Sequence, residues 1–143
     1  VDGVDIAIVN ILEKNGRISH EEIAKHLHMS RPAIHKRIDN LEKQGIITGY
    51  RALIDWRKIS PCFRCLITLQ IKGRYFDKIV DEITNLDIPE VVVEEFHRLA
   101  GEWCVLIKAR ITTPEDTTKI LDRIWQLDGI IKSSTSFVIS TVL

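Results

Sequence analysis

The chain has 143 residues, 45% of them hydrophobic, with 20 Lys+Arg against 20 Asp+Glu and three cysteines. A net charge of zero argues against a bulk, sequence-independent binder of nucleic acid, and no apolar run approaches the ~18 residues that span a bilayer. An odd cysteine count without a signal-peptide pattern leads us to expect a reduced, cytoplasmic setting rather than a disulfide framework. The charge is unevenly spread: between Arg31 and Lys58 there are seven basic and three acidic residues, and four of the five histidines precede residue 60.

Residues 1–15 are expected to be helical, with Val4, Ile8, Ile11 and Leu12 on one face and Asp2 and Asp5 at the start, where the helix dipole favours anions. Asn15-Gly16 ends that helix. Residues 19–50 then predict helix, tight turn, helix. Ser19 and Glu22 have the spacing of a capping box, and Ile23, Ala24 and Leu27 form an apolar face. His28-Met29 makes the turn, Ser30 caps the next helix, Pro32 sits in its first turn and Gly45 stops it.

Ile34, Ile38 and Leu41 fall at i, i+4 and i+7, the spacing of a buried stripe. Arg31, His35, Lys36, Asp39 and Asn40 lie on the opposite face. A short helix buried on one side and carrying such groups on the other suits the DNA major groove. The residues expected at DNA are therefore Ser30, Arg31, Pro32, His35, Lys36, Asp39 and Asn40, with Arg37 and Arg51 on phosphates. The β-prone run 46–54 predicts a strand after the recognition helix, hence a winged domain over residues 1–54, and residues 55–61 form a linker or hinge.

From residue 62 the pattern changes. Residues 63–72 predict a strand and residues 75–86 a helix with Phe76, Ile79, Val80 and Ile83 inward. Ile88-Pro89 is a break. Residues 91–99 and 103–111 predict a hairpin around Ala100-Gly101-Glu102. Thr113-Pro114-Glu115-Asp116 opens a helix with Ile120, Leu121, Ile124 and Leu127 inward, and residues 130–142 predict a last strand. The order βαββαβ predicts an α+β, ferredoxin-like domain over residues 62–143, with two helices on one sheet face. The other face needs a partner if it is apolar, so a dimer made through this domain is expected.

These residues resemble the Lrp/AsnC (feast/famine) transcriptional regulators over nearly the whole chain. The resemblance is carried by Asp2, Asp5, Asn15-Gly16-Arg17-Ile18-Ser19, Glu22-Ile23-Ala24, Ser30, Arg37, Leu41-Glu42 and Gly45-Ile46-Ile47-Thr48-Gly49-Tyr50. In the second half it rests on Gly101, Asp128-Gly129-Ile130, Ser133 and Thr135. It implies double-stranded DNA as partner, homodimers often gathered into octamers, and a small effector, typically a free amino acid, near the hairpin turn between the second and third strands, where dimers meet. On this chain the effector site maps to Leu99, Ala100, Gly101, Glu102 and Trp103, with Ser133, Ser134, Thr135 and Ser136 nearby. The family commonly has Gly-Asp and an aromatic in this turn, where this chain has Gly101-Glu102-Trp103.

Enzyme chemistry finds little support. Cys62 and Cys65 differ in strand parity, so no metal site is expected there. The histidines at 20, 26, 28 and 35 have no metalloprotease spacing and are expected to be solvated or phosphate-facing. There is no phosphate loop, nucleophile elbow or paired-carboxylate signature, and no cofactor is expected. The alternative is an enzyme resembling the siroheme decarboxylases, which share the architecture, but no His/Arg cluster for a tetrapyrrole is evident in the second half.

Overall fold

The computed structural model describes residues 1–142, and the chain divides into two units, Val1–Ile54 and Asp55 onward. The first unit holds three helices: α1 (Gly3–Lys14), α2 (His20–Leu27) and α3 (Arg31–Lys43). The reciprocal capping box lies at Asp2 and Asp5, where each carboxylate accepts the other's backbone N–H, at 2.9 and 3.1 Å. At Ser19 only half of the expected box forms: the hydroxyl accepts from the Glu22 N–H at 3.1 Å. Ser30 caps α3 through the Ala33 N–H. The helix ends in a Schellman motif, in which Gly45 (φ +71°) donates to the Glu42 carbonyl and Ile46 to that of Leu41. Ile34, Ile38 and Leu41 are buried with Ile8, Ile23 and Ala24, and this cluster is the core of the unit.

The strand expected at 46–54 does not form. A strand needs a ladder partner, and residues 1–54 contain no second β-prone run. The segment instead folds back on α3, where the Tyr50 hydroxyl donates to Glu42 at 2.9 Å. Desolvation, reinforced by that carboxylate, pushes the Tyr50 phenol up to about 12.

The second unit contains β1 (Phe63–Ile71), α4 (Phe76–Thr84), β2 (Val91–Arg98), β3 (Val105–Ile111), α5 (Thr117–Trp125) and β4 (Ile130–Phe137). The antiparallel sheet has the order β2-β3-β1-β4, so β1 and β3 are central. This is the ferredoxin-like α+β arrangement. Cys65, Ile67, Leu69 and Ile71 of β1 are buried with Val105, Ile107, Ala109 and Ile111 of β3, under Ile79 and Ile83 of α4 and Ile120 and Ile124 of α5.

Several boundaries differ from expectation. Short 3₁₀ turns, Gly73–Tyr75 and Pro114–Asp116, precede α4 and α5. The last strand stops at Phe137 instead of reaching 142. Phe137 pairs with Cys65, close to the start of β1, and the Val138 N–H still reaches the Arg64 carbonyl at 2.9 Å. Beyond that point the strand it would pair with, β1, is preceded by Pro61, which has no N–H to donate. Residues 55–61, expected as a linker, group with the second unit. They hold a 3₁₀ turn, Trp56–Lys58, and the Trp56 ring lies 3.9 Å from the Arg110 guanidinium. Among the described residues no helix is long and apolar enough to cross a membrane.

Gly129 sits in a turn packed against Tyr75. Its φ is +90°, and a Cβ there would lie 2.4 Å from Cδ2 and 2.7 Å from Cβ of Tyr75. Gly129→Ala combines backbone strain with overpacking and is expected to destabilise the unit by about 2–4 kcal/mol. Urea unfolding followed by amide exchange in the sheet checks this.

Candidate nucleic-acid interface and effector turn

Burying Ile34, Ile38 and Leu41 determines which side chains α3 shows to solvent. Arg31, Pro32, His35, Lys36 and Asn40 are exposed, as are Ser30 and Arg51. Arg31 and Lys36 enter no ion pair among the described residues, so their charges remain available to an anionic partner. Asp39 is held at 2.6 Å by Lys43, one turn on. Ser30 is occupied as the helix cap. The Nδ1 of His35 lies 3.2 Å from the Nδ1 of His20.

Arg37 behaves differently from the phosphate ligand expected of it. Its side chain is 30% exposed, and its Nη1 lies 2.8 Å from both carboxylate oxygens of Asp2 and 3.0 Å from Asp5. These charge-assisted hydrogen bonds clamp α3 to the start of α1. The Arg37 hydrogen bonds hold the Asp2 carboxyl at about 2, below its ordinary 3.8, and the same bonds raise Arg37.

The turn expected to take an effector is the β2–β3 connection. The Leu99 N–H donates to the Cys104 carbonyl at 2.7 Å and the Cys104 N–H to Leu69 at 2.8 Å, closing a loop around Ala100, Gly101, Glu102 and Trp103. Gly101 has φ +136° and open space where a Cβ would stand. The Gln70 amide donates to the Glu102 carboxylate at 3.2 Å. The Lys132 ammonium lies 5.5 Å from the centroid of the half-buried Trp103 ring. Gln70 and Lys132 are cross-strand partners, on the sheet face away from the helices.

The serine-rich strand splits between the two faces. Ser133 and Thr135 pair with the buried Leu69 and Ile67, whereas Ser134 and Ser136 pair with Thr68 and Leu66 on the open face. Within one chain, Ser133 and Thr135 are thus on the opposite side of the sheet from Gln70 and Lys132. Sequence reasoning missed Gln70 and Lys132. The signal was strand parity, which sets Gln70 outward whenever Leu69 and Ile71 are inward.

The open sheet face is also more polar than expected. Glu94 sits at a bulge between Arg64 (2.8 Å) and Arg110 (3.2 Å), and Glu95 approaches His97 and Lys108. The apolar strand residues are spent on the helix-covered face, and Leu66 and Leu106 interrupt the charges. A cavity of about 510 Å³ lies elsewhere, lined by Arg57, Phe63, Arg64 and the 137–141 segment, with none of the expected effector residues among its walls.

A capped helix-turn-helix with an exposed polar recognition face, followed by a ferredoxin-like sheet domain, defines a two-domain transcriptional regulator. The chain belongs to the Lrp/AsnC family: the Lrp/AsnC ligand binding domain matches residues 64–143, and a winged helix-turn-helix DNA-binding domain matches residues 1–48. An HTH-type transcriptional regulator of Pyrococcus abyssi is 28% identical over 142 residues, 99% of this chain and 94% of its own length. The leucine-responsive regulatory protein of Haemophilus influenzae is 28% identical over 146 residues, 99% of this chain and 86% of its own length. The fold is shared with Escherichia coli AsnC at TM-score 0.82 and 24% identity, covering 100% of this chain and 95% of that one. It is shared as well with a Neisseria meningitidis regulator solved with L-Met, at TM-score 0.85 and 24% identity, covering 100% and 92%. These relatives are named as regulators, and the decarboxylase alternative is not favoured.

The Asp2–Arg37 pair makes the first unit sensitive to acid. A carboxyl lowered from 3.8 to about 2 contributes stability that is full above its unfolded value and lost as pH falls through the interval between the two. Amide protection over residues 1–54 of the full chain is expected to fall between about pH 4 and pH 2, and Asp2→Asn is expected to flatten that part of the profile.

Proposed function

We propose that this Lrp/AsnC regulator reads the DNA major groove through Arg31, His35, Lys36 and Asn40 of α3, with Ser30, Pro32 and Asp39 beside the duplex and Arg51 on a phosphate. The supporting observation is the exposure of Arg31, His35, Lys36 and Asn40 opposite the buried Ile34, Ile38 and Leu41. The regulator acts in the cytoplasm as a homodimer or larger homo-oligomer, assembled through the sheet domain. A dimer presents two recognition helices to half-sites about one helical turn, ~34 Å, apart.

A small effector, an amino acid, binds at the Gly101 turn. A glycine with no Cβ leaves the turn's backbone N–H groups open to a carboxylate, and Glu102 offers an anion for the ligand's amine. The L-Met complex of the N. meningitidis regulator and the name of the leucine-responsive relative support this ligand class. Ser134 and Ser136 are on the face shared with Gln70 and Lys132, so they are the hydroxyls a ligand there reaches within one chain. Ser133 and Thr135 reach it only from a neighbouring copy.

Two measurements separate these statements. Lys36→Ala, if it removes a phosphate contact, is expected to weaken all duplexes alike and lower the salt slope of binding by about one. Relaxed preference at one base position would assign Lys36 to base reading instead, and binding independent of salt would contradict the interface. Calorimetry with the twenty amino acids is expected to give heat for the wild type and none for Gly101→Val, with DNA affinity retained in the variant. A wild type that binds none at millimolar concentration would remove the effector and leave the DNA interface standing.

A further inference from the structure

His20 opens α2 and His35 lies on the exposed face of α3. The packing of Ile23 and Ala24 against the α3 stripe brings the two rings together across the turn. Their Nδ1 atoms stand 3.2 Å apart, with ring centroids at 5.2 Å and planes inclined by 43°. Two imidazoles at that spacing do one of two things. Either one Nδ1–H donates to the other's lone pair, or both lone pairs converge on a shared cation. Two nitrogens bound ~2.0–2.1 Å from a tetrahedral Zn²⁺ are separated by about 3.3–3.4 Å, so the observed gap is within a few tenths of an ångström of a ligand pair.

We propose that His20 and His35 form a two-nitrogen site for a borderline divalent cation, Zn²⁺ or, by the preference of imidazole, Ni²⁺ or Cu²⁺. Among the described residues no third His, Cys, Asp or Glu joins the pair, so water completes the coordination and binding is reversible. Glu21 and Glu22 in the first turn of α2 supply negative charge close by. The bound ion staples α2 to α3 across the turn. It also settles the tautomer of His35: with Nδ1 on the metal, Nε2 carries the proton and becomes a donor. The site thereby links metal availability to a side chain on the exposed face of α3, next to Lys36.

The test is calorimetric titration of zinc chloride into the full-length wild type and into His20→Gln, His35→Gln and His26→Gln. One ion per chain is expected for the wild type and for His26→Gln, whose replaced imidazole is on the exposed side of α2. Each of the other two variants is expected to lose at least about tenfold in affinity, as loss of a ligand exceeds the ~10- to 100-fold that second-shell changes cost. His35 is exposed, so its replacement leaves the fold intact. No heat from the wild type at millimolar zinc would overturn the proposal. So would binding that survives unchanged in both His20→Gln and His35→Gln, which would place the ion elsewhere and leave the histidines as a hydrogen-bonded pair.

Discussion

The rotation of α3 about its own axis is the constraint on which the first unit depends. Burial of Ile34, Ile38 and Leu41 against Ile8, Ile23 and Ala24 fixes it, each large side chain contributing about 1.5–3 kcal/mol relative to exposure. A turn of one residue, about 100°, would bring His35 into the core and expose Ile34. The Arg37 clamp on Asp2 and Asp5 holds the same orientation from the flank, joining the first turn of α1 to the middle of α3. The set of residues proposed to face DNA is therefore a consequence of packing: what the core excludes is what α3 can show to a groove.

In the second unit the corresponding constraint is the two-residue period of β1. Cys65, Ile67, Leu69 and Ile71 go under the helices, and Arg64, Leu66, Thr68 and Gln70 go to the open face. That face carries a chain of charges, Arg64–Glu94–Arg110, which ends on the Trp56 ring. The stack draws the segment after residue 54 into the sheet domain, so the break between the units falls before Trp56. At the other end of β1, Gln70 links the sheet to the Glu102 turn. One strand thus connects the attachment of the inter-unit segment with the turn proposed to sense an effector.

Local signals are legible in the sequence where neighbours along the chain decide the outcome. The caps at Ser19 and Ser30, the stop at Gly45, the stripe of α3 and the order of strands and helices depend on residues within one or two turns of each other. The Arg37 pairing is not legible in this way, because Asp2 and Asp5 are 35 and 32 residues distant. From the sequence, an arginine beside α3's polar face reads as a phosphate ligand; its pairing with those carboxylates comes only with the fold. The strand expected at 46–54 fails for the opposite reason. The 46–54 run has strand propensity, but propensity cannot supply a ladder partner. That Ser133 and Ser134 lie on opposite faces follows from strand alternation, but which of them joins the open face depends on register, which the pairing with Leu69 and Thr68 sets.

The central claim is that α3 reads base edges. Selection of bound duplexes from a random pool by the full-length protein, repeated with Asn40→Ala, tests it most directly. An enriched two-fold symmetric motif with half-sites about 10 base pairs apart is expected, with loss of preference at one position per half-site in the variant. A pool that stays random, or a motif unchanged by Asn40→Ala and equally unchanged by Arg31→Ala, would contradict it.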